Sequence, residues 1–153
     1  MWHEHETRLT LPRPLEQVFK FFAEASNLER ITPPELKFQI LTRLPLQLQA
    51  GSVIDYRLAL FGVPFKWRTR IVHWDPPHIF VDEQERGPYR NWVHSHTFSQ
   101  TGDGTAITDR VRFRLPLPPL GELAYPLVRR QVERIFRYRE ARIQTLLATQ
   151  TRS

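Results

Sequence analysis

The chain has 153 residues, 41% hydrophobic, 12% aromatic and 25% charged, which is one domain's length with enough apolar surface for its own core and excludes wholesale disorder. It has no cysteine, so disulfides, thiolate catalysis and cysteine metal sites are excluded; no apolar run reaches the roughly 18 residues of a membrane-spanning helix, the acidic start has no signal-peptide pattern, and a cytoplasmic address is expected. The net charge of +6 is uneven: residues 110–153 hold ten Arg against three Glu, whereas residues 1–109 are nearly neutral.

Thr7 to Leu11, with the residues before them, read as an edge strand. Pro14 suits a first helical position, and Leu15, Val18, Phe22 and Ala25 follow at helical spacing. Ser26-Asn27-Leu28-Glu29 has the form of a capping box and restarts a short helix, which Pro33-Pro34 ends. Turn signals then recur at Gly51, Gly62-Val63-Pro64, Asp75-Pro76-Pro77, Gly87-Pro88, Gly102-Asp103-Gly104 and Pro116, marking a meander of about six antiparallel strands. Between them residues alternate. Phe65, Trp67, Thr69, Ile71 and His73 share one face, as do Ile107, Asp109, Val111, Phe113 and Leu115, so one side of the sheet is covered and the other meets water.

From Leu120 to Leu147 the sequence predicts a long helix. Its apolar arc is formed by Ala124, Leu127, Val128, Val132, Ile135, Ile143 and Leu146, with Arg139 and Arg142 breaking the stripe. The expected fold is α+β: a curved antiparallel sheet of six to seven strands wrapped around the C-terminal helix, with two short helices after the first strand. Such a layout leaves a ligand cavity between helix and sheet.

Several segments carry a family resemblance. They are Pro12 to Phe19, Asn27 to Pro34, Gly51 to Arg57, Trp67-Arg68-Thr69 through Trp74-Asp75-Pro76-Pro77, Phe80 to Tyr89 followed by Trp92, His94 and His96-Thr97-Phe98, Asp109-Arg110-Val111 and Ile135 to Arg139. With them the chain resembles the SRPBCC or START-like superfamily, with the helix-grip fold, and within it the bacterial polyketide cyclase/dehydrase and coenzyme Q-binding-like branch. The resemblance spans nearly all of residues 1–153 as a single ligand-binding domain. It implies a cavity for a small hydrophobic or amphipathic molecule (a lipid, an isoprenoid quinone or a polyketide-like compound) and does not name a reaction.

His94 and His96 stand at i and i+2 on one strand face, in phase with Trp92 and Phe98. They read first as pocket wall. A metal would need a third ligand, and no spacing assembles three locally, so no metal and no cofactor are expected. The ligand-binding candidates are Trp67, Glu83, Trp92, His94, His96, Phe98, Asp109 and Arg139. Arg139, on the apolar helix stripe, should pair with a carboxylate of the sheet, Asp109 first and Glu83 or Asp55 next. Binding or carriage ranks ahead of a cyclase/dehydratase reaction, in which His94, His96 or Glu83 would move protons. A third reading is an interaction domain acting through the Arg-rich C-terminal helix, where Arg130, Arg134 and Arg137 would meet a membrane surface or a partner protein. No nucleic-acid motif accompanies these arginines, so no nucleic acid is expected.

Overall fold

The computed structural model describes residues 1–44 and 46–149. Strand β1 (His3–Leu11) leads into α1 (Leu15–Ala23), α2 (Asn27–Arg30), a 3₁₀ turn at Pro34–Leu36 and the short strand β2 (Gln39–Ile40). The meander follows: β3 (Val53–Leu60), β4 (Val63–Asp75), β5 (Ile79–Arg86), β6 (Asn91–Gln100) and β7 (Thr105–Arg114). A single turn, α3 (Leu120–Leu123), precedes the long helix α4 (Tyr125–Thr149). The seven strands form one antiparallel sheet in the order β1-β7-β6-β5-β4-β3-β2, so the first strand closes onto the last and lies at an edge. This is the helix-grip arrangement.

The alternation in the sequence sets which face of the sheet is covered. In β7, Ile107, Asp109, Val111 and Phe113 are all buried, while Arg110 and Arg112 are exposed. In β4, Trp67, Thr69 and Ile71 are buried, but His73 is exposed, because the register with β5 shifts between Ile71 and His73 and turns the later residues out of phase. On α1, Leu15, Val18 and Phe22 face inward as their spacing predicts, together with Phe19. Phe19 and Phe22 meet the rings of Phe98 and Phe80, so α1 closes one end of the curved sheet with aromatic contacts.

Three local expectations change. Ser26 sits in a helical conformation and caps nothing; its hydroxyl donates to Glu24, and Glu29 accepts from the Ile40 amide instead. The Ser-to-Glu pattern therefore ties α2 to β2 rather than building a capping box. The buried stripe of α4 is Val132, Phe136, Arg139, Ile143 and Leu147, rotated from the expected arc: Leu127 and Ala124 are exposed. The first turn of α4 meets the sheet through Tyr125, which stacks on His3 at 3.7 Å and lies against Phe113, and this rotation turns Leu127 outward. Arg142 escapes the core by donating from Nε to the Arg30 carbonyl.

The far end of α4 is tied down by Arg13, which is buried and donates from Nε to the Leu147 carbonyl at 2.8 Å. Thr105 in turn donates to the Arg13 carbonyl. One guanidinium thus satisfies a carbonyl that the helix terminus leaves open and joins it to the β1 exit. Arg13→Ala is expected to cost about 1.5–3 kcal/mol, the range for a hydrogen bond to a charged group, measured by urea denaturation. An unchanged midpoint would mean the helix end is held by other contacts.

Candidate functional site: a cavity with a buried Asp-His-His-Asp-Arg network

Helix and sheet do not meet over the whole interface. Between them lies a cavity offering about 150 Å³ to the centres of water-sized spheres, about ten times what one water needs by that measure. Its wall is mostly apolar: Ile54, Leu58 and Leu60 of β3, Ile71 of β4, Phe80 of β5, and Ile135 and Phe136 of α4. Toward the end where β3 turns into β4 the wall becomes aromatic. Trp67 lies 5.8 Å from Tyr56 in stacked orientation and edge-on to Trp92 at 5.4 Å, with Tyr89 against both tryptophans.

The polar part of the wall comes from two adjacent strands and the helix. His94 and His96 of β6 are buried and their rings stack at 3.7 Å. Asp82 of β5 pairs with His94 in register, and Asp109 of β7 with His96, so both histidines lie between the two carboxylates. The side-chain bonds run as follows: Asp82 Oδ2 is 2.7 Å from His96 Nε2, and Asp109 Oδ1 is 2.9 Å from His94 Nε2 and 3.2 Å from His96 Nδ1. Arg139 reaches down from α4, with Nη2 3.4 Å from Asp109 Oδ1 and 3.3 Å from His96 Nδ1.

Each group's proton affinity follows from these neighbours. Burial raises the Asp109 carboxyl, but the Arg139 charge and the bonds from both histidines outweigh it and hold Asp109 well below the carboxylate range. Burial likewise raises Asp82, and the bond from His96 overcomes it, leaving Asp82 lowered. Burial lowers His94, the neighbouring His96 lowers it further, and Asp109 does not compensate, so His94 falls to about 4. Burial also lowers His96, yet its bonds to Asp109 and Asp82 prevail and its pKa is raised. With His96 protonated, two carboxylates face one imidazolium and one guanidinium, and the network is neutral. His94 then donates from Nε2 to Asp109 and carries an unprotonated Nδ1.

The predicted site residues separate into three groups. Trp67, Trp92, His94, His96 and Arg139 line the cavity. Phe98 and Asp109 are buried behind that wall, Phe98 in the aromatic cluster under α1 and Asp109 beneath the histidines. Glu83 is a correction: it is not on the cavity wall, and Asp82 is. Phe80 faces inward, so the period of two puts position 82 inside and 83 on the other side; applying the phase of Phe80 to its own strand would have found Asp82. Asp55 binds Arg68 on the outer surface and takes no part. Arg139 is 8% exposed and contacts Asp109 through one nitrogen, Nη2, at the same Oδ1 that both histidines approach.

Asp82, His94 and His96 each offer a ligand atom within 4.8 Å of the others. Three metal-ligand residues are therefore gathered across two strands, a grouping that local spacing in the sequence does not reveal. Asp82 accepts from His96, and the Arg139 guanidinium stands 3.3 Å from His96 Nδ1, a cation where a metal would add a second positive charge; of the three, His94 alone keeps a ring nitrogen, Nδ1, outside these bonds.

Residues 11–137 match the family described as polyketide cyclase/dehydrase and lipid transport. The chain belongs to that family. Solved structures agree at the level of the fold. The Zhui aromatase/cyclase from Streptomyces sp. R1128 superposes with a TM-score of 0.81 at 17% identity, covering 100% of this chain and 98% of that one. A START superfamily protein from Mycobacterium smegmatis gives 0.66 at 16% identity, over 94% and 99% of the two chains. A nucleoside-diphosphate sugar epimerase from Corynebacterium glutamicum gives 0.66 at 23% identity, over 92% of this chain and 28% of its own length. No curated protein matches the sequence.

Two measurements test the network. His94, depressed to about 4, stays neutral in the fold while an unfolded histidine protonates near 6.5. Its contribution to stability is complete above about pH 6.5 and is lost as pH falls toward 4, by about 3 kcal/mol at 1.36 kcal/mol per unit. His96, raised, works in the opposite sense above neutrality: its contribution is complete below about pH 6.5 and is lost as pH rises through its folded value. His94→Gln should flatten the acid limb of a denaturation-against-pH curve and leave the alkaline limb in place; an unaltered acid limb would show that His94 is protonated in the fold. Separately, Arg139→Met should cost about 3–5 kcal/mol, and less when combined with Asp109→Asn. A double-mutant cycle reads the coupling, and a value of zero would mean Arg139 and Asp109 do not sense each other.

Proposed function

We propose that this domain binds or carries a small amphipathic molecule with a ring or isoprenoid body in the cavity between α4 and the sheet. The observation that carries the reading is the make-up of the wall: apolar and aromatic over most of its area, with the Asp, His and Arg side chains that line it among the described residues, Asp82, His94, His96 and Arg139, gathered on one side. An apolar body gains about 25 cal/mol per Å² on leaving water for such a wall, and the polar side fixes which end of the molecule points inward. Two buried nitrogens of wall residues, Trp67 Nε1 and Arg139 Nε, have no hydrogen-bond partner among the described residues. A ligand bearing an oxygen at the end that meets the histidines and Arg139 suits the cavity better than a pure hydrocarbon. The match to a family that includes lipid transport supports the same class.

A second reading, proton transfer of the cyclase/dehydratase kind, is favoured by one specific observation: adjacent histidines driven in opposite directions. Divergent proton affinities in one pocket are the usual basis for dividing acid and base roles. In this reading His94, oriented by Asp109 through Nε2, would take a proton from a ligand carbon at its free Nδ1. The proton held on the Asp82–His96 pair would pass to a departing hydroxyl, so that one water leaves and one double bond forms.

Native mass spectrometry of the purified protein, after exposure to a total lipid extract and to polycyclic phenols and quinones, distinguishes these. Carriage predicts an adduct whose mass is that of the free compound. Dehydration predicts release of a product lighter by one water, with turnover reduced about 100-fold or more in His94→Gln or His96→Gln while the adduct still forms. No adduct with any fraction would overturn both.

A further inference from the structure

The cavity's aromatic end coincides with the one part of the surface where large apolar side chains concentrate. The β3–β4 turn, the β5–β6 turn, the exit of β7 and the start of β1 lie at the same end of the sheet, as the registers Leu60↔Val63, Asn91↔Arg114 and His3↔Phe113 require. Behind them Leu58, Leu60, Trp67, Tyr89, Phe113 and Leu115 form a single apolar cluster. In front of it stand Phe61, 61% exposed, Leu117 at 74%, Leu120 at 67% and Leu123 at 79%, with Trp2 and Leu127 beside them. Few large apolar side chains are exposed elsewhere among the described residues.

Two of these residues occupy positions where local structure argues against them. Phe61 has φ of 52° and Leu117 φ of 53°, the left-handed region that Gly, Asn or Asp take at low cost and bulky residues avoid. Solubility and backbone alike would favour a small polar residue at both tips, yet an aromatic and a leucine stand there.

The rim around this apolar cap is cationic. Arg86, Arg90, Arg112 and Arg114 belong to it, and none makes an ion pair among the described residues, whereas Arg68, Arg70, Arg110, Arg129, Arg134 and Arg139 all do. Glu122, the acidic residue of α3, is engaged by His3 at 2.7 Å. Arg112 and Arg114 lie over the Trp2 ring at 5.0 and 5.4 Å.

We propose that this end of the molecule docks on an anionic lipid surface, with Phe61, Leu117, Leu120 and Leu123 entering the boundary between headgroups and acyl chains and the rim arginines meeting lipid phosphates. Apolar side chains encircled by guanidinium groups match the layering of such a surface, apolar below and negatively charged above. The earlier expectation placed a membrane contact on the outer face of the long helix. There Arg134 is occupied by Glu35 and Arg129 by Glu133, and among the described residues of α4 Leu127 is the only large apolar side chain exposed, whereas the apolar cap stands at the cavity end. The inference does not depend on what the cavity holds, since it concerns the outer surface.

The test is co-sedimentation of the full chain with vesicles of phosphatidylcholine alone and of phosphatidylcholine mixed with phosphatidylglycerol. Binding is expected to the mixed vesicles only and to weaken as salt is raised. Phe61→Asn combined with Leu117→Asn should keep or raise the melting temperature, because Asn accepts the positive φ, and yet lower vesicle binding by at least about tenfold. Leu123→Asp should do the same from a different element. Arg86→Glu with Arg90→Glu should lower binding by about fivefold per arginine removed. Absence of binding to the anionic vesicles would overturn the proposal, as would variants that bind like the wild type. So would sedimentation equilibrium showing a wild-type dimer that the Asn and Asp variants dissociate, which would assign the patch to a second copy of the chain.

Discussion

A carboxylate buried between a sheet and a helix has to be answered from both sides, and Asp109 is that carboxylate. It sits in β7, the strand that β1 closes onto, with its side chain toward α4. Two histidines answer it from the neighbouring strand and Arg139 from the helix. The requirement fixes more than a charge count. Arg139 interrupts the apolar stripe of α4 between Phe136 and Ile143, so the rotation of the helix about its axis is set by where Asp109 lies. Slipping the helix by one residue would leave a buried guanidinium and a buried carboxylate without each other, which costs more than any apolar contact at that position returns.

The same group explains why the histidines differ. His94 has one strong partner, Asp109; His96 has two carboxylates, Asp82 and Asp109. Equal rings, two residues apart and stacked on each other, therefore have their proton affinities driven in opposite directions, His96 upward where negative charge lies on both sides and His94 downward. Arg139 Nη2 stands near His96 Nδ1 as well. If His96 loses its proton, Nδ1 changes from donor toward Asp109 to acceptor from Arg139, so the network has a hydrogen-bonding arrangement for either state of that ring. A cavity wall of this kind tolerates a change of proton number without stranding a polar atom.

What the sequence made legible follows where periodicity was unbroken. β7 alternates without a fault from Ile107 to Leu115, and its buried set, Asp109 included, was readable directly. Arg139 was readable because a lone cation on an apolar stripe demands a partner. Asp82 and Glu83 are adjacent acids, and only the phase that Phe80 sets along β5 shows that Asp82, not Glu83, faces the cavity. His73 was misplaced because a register shift between two strands is a relation to the partner strand and leaves no mark in the strand's own alternation. The capping pattern at Ser26 failed for a similar reason: Glu29 found a better donor in the Ile40 amide, eleven residues away.

The exposed leucines show the remaining limit from the other direction. Leu127 and Ala124 lie on the helical arc that the sequence predicts to be buried, and by periodicity alone that assignment is sound. The sheet does cover the first turn of α4, but it does so through Tyr125, which stacks on His3 beside Phe113, and this rotation puts Leu127 in water. An apolar side chain turned away from the surface that covers its helix carries a cost that selection removes by substituting a polar residue unless something else meets it. Here Leu127 follows the exposed Leu117, Leu120 and Leu123 along the chain, at the end of the sheet where β7 leaves and β1 begins. The rotation of the helix that brings Tyr125, Val132 and Arg139 onto the sheet is thus also what leaves these leucines outside it.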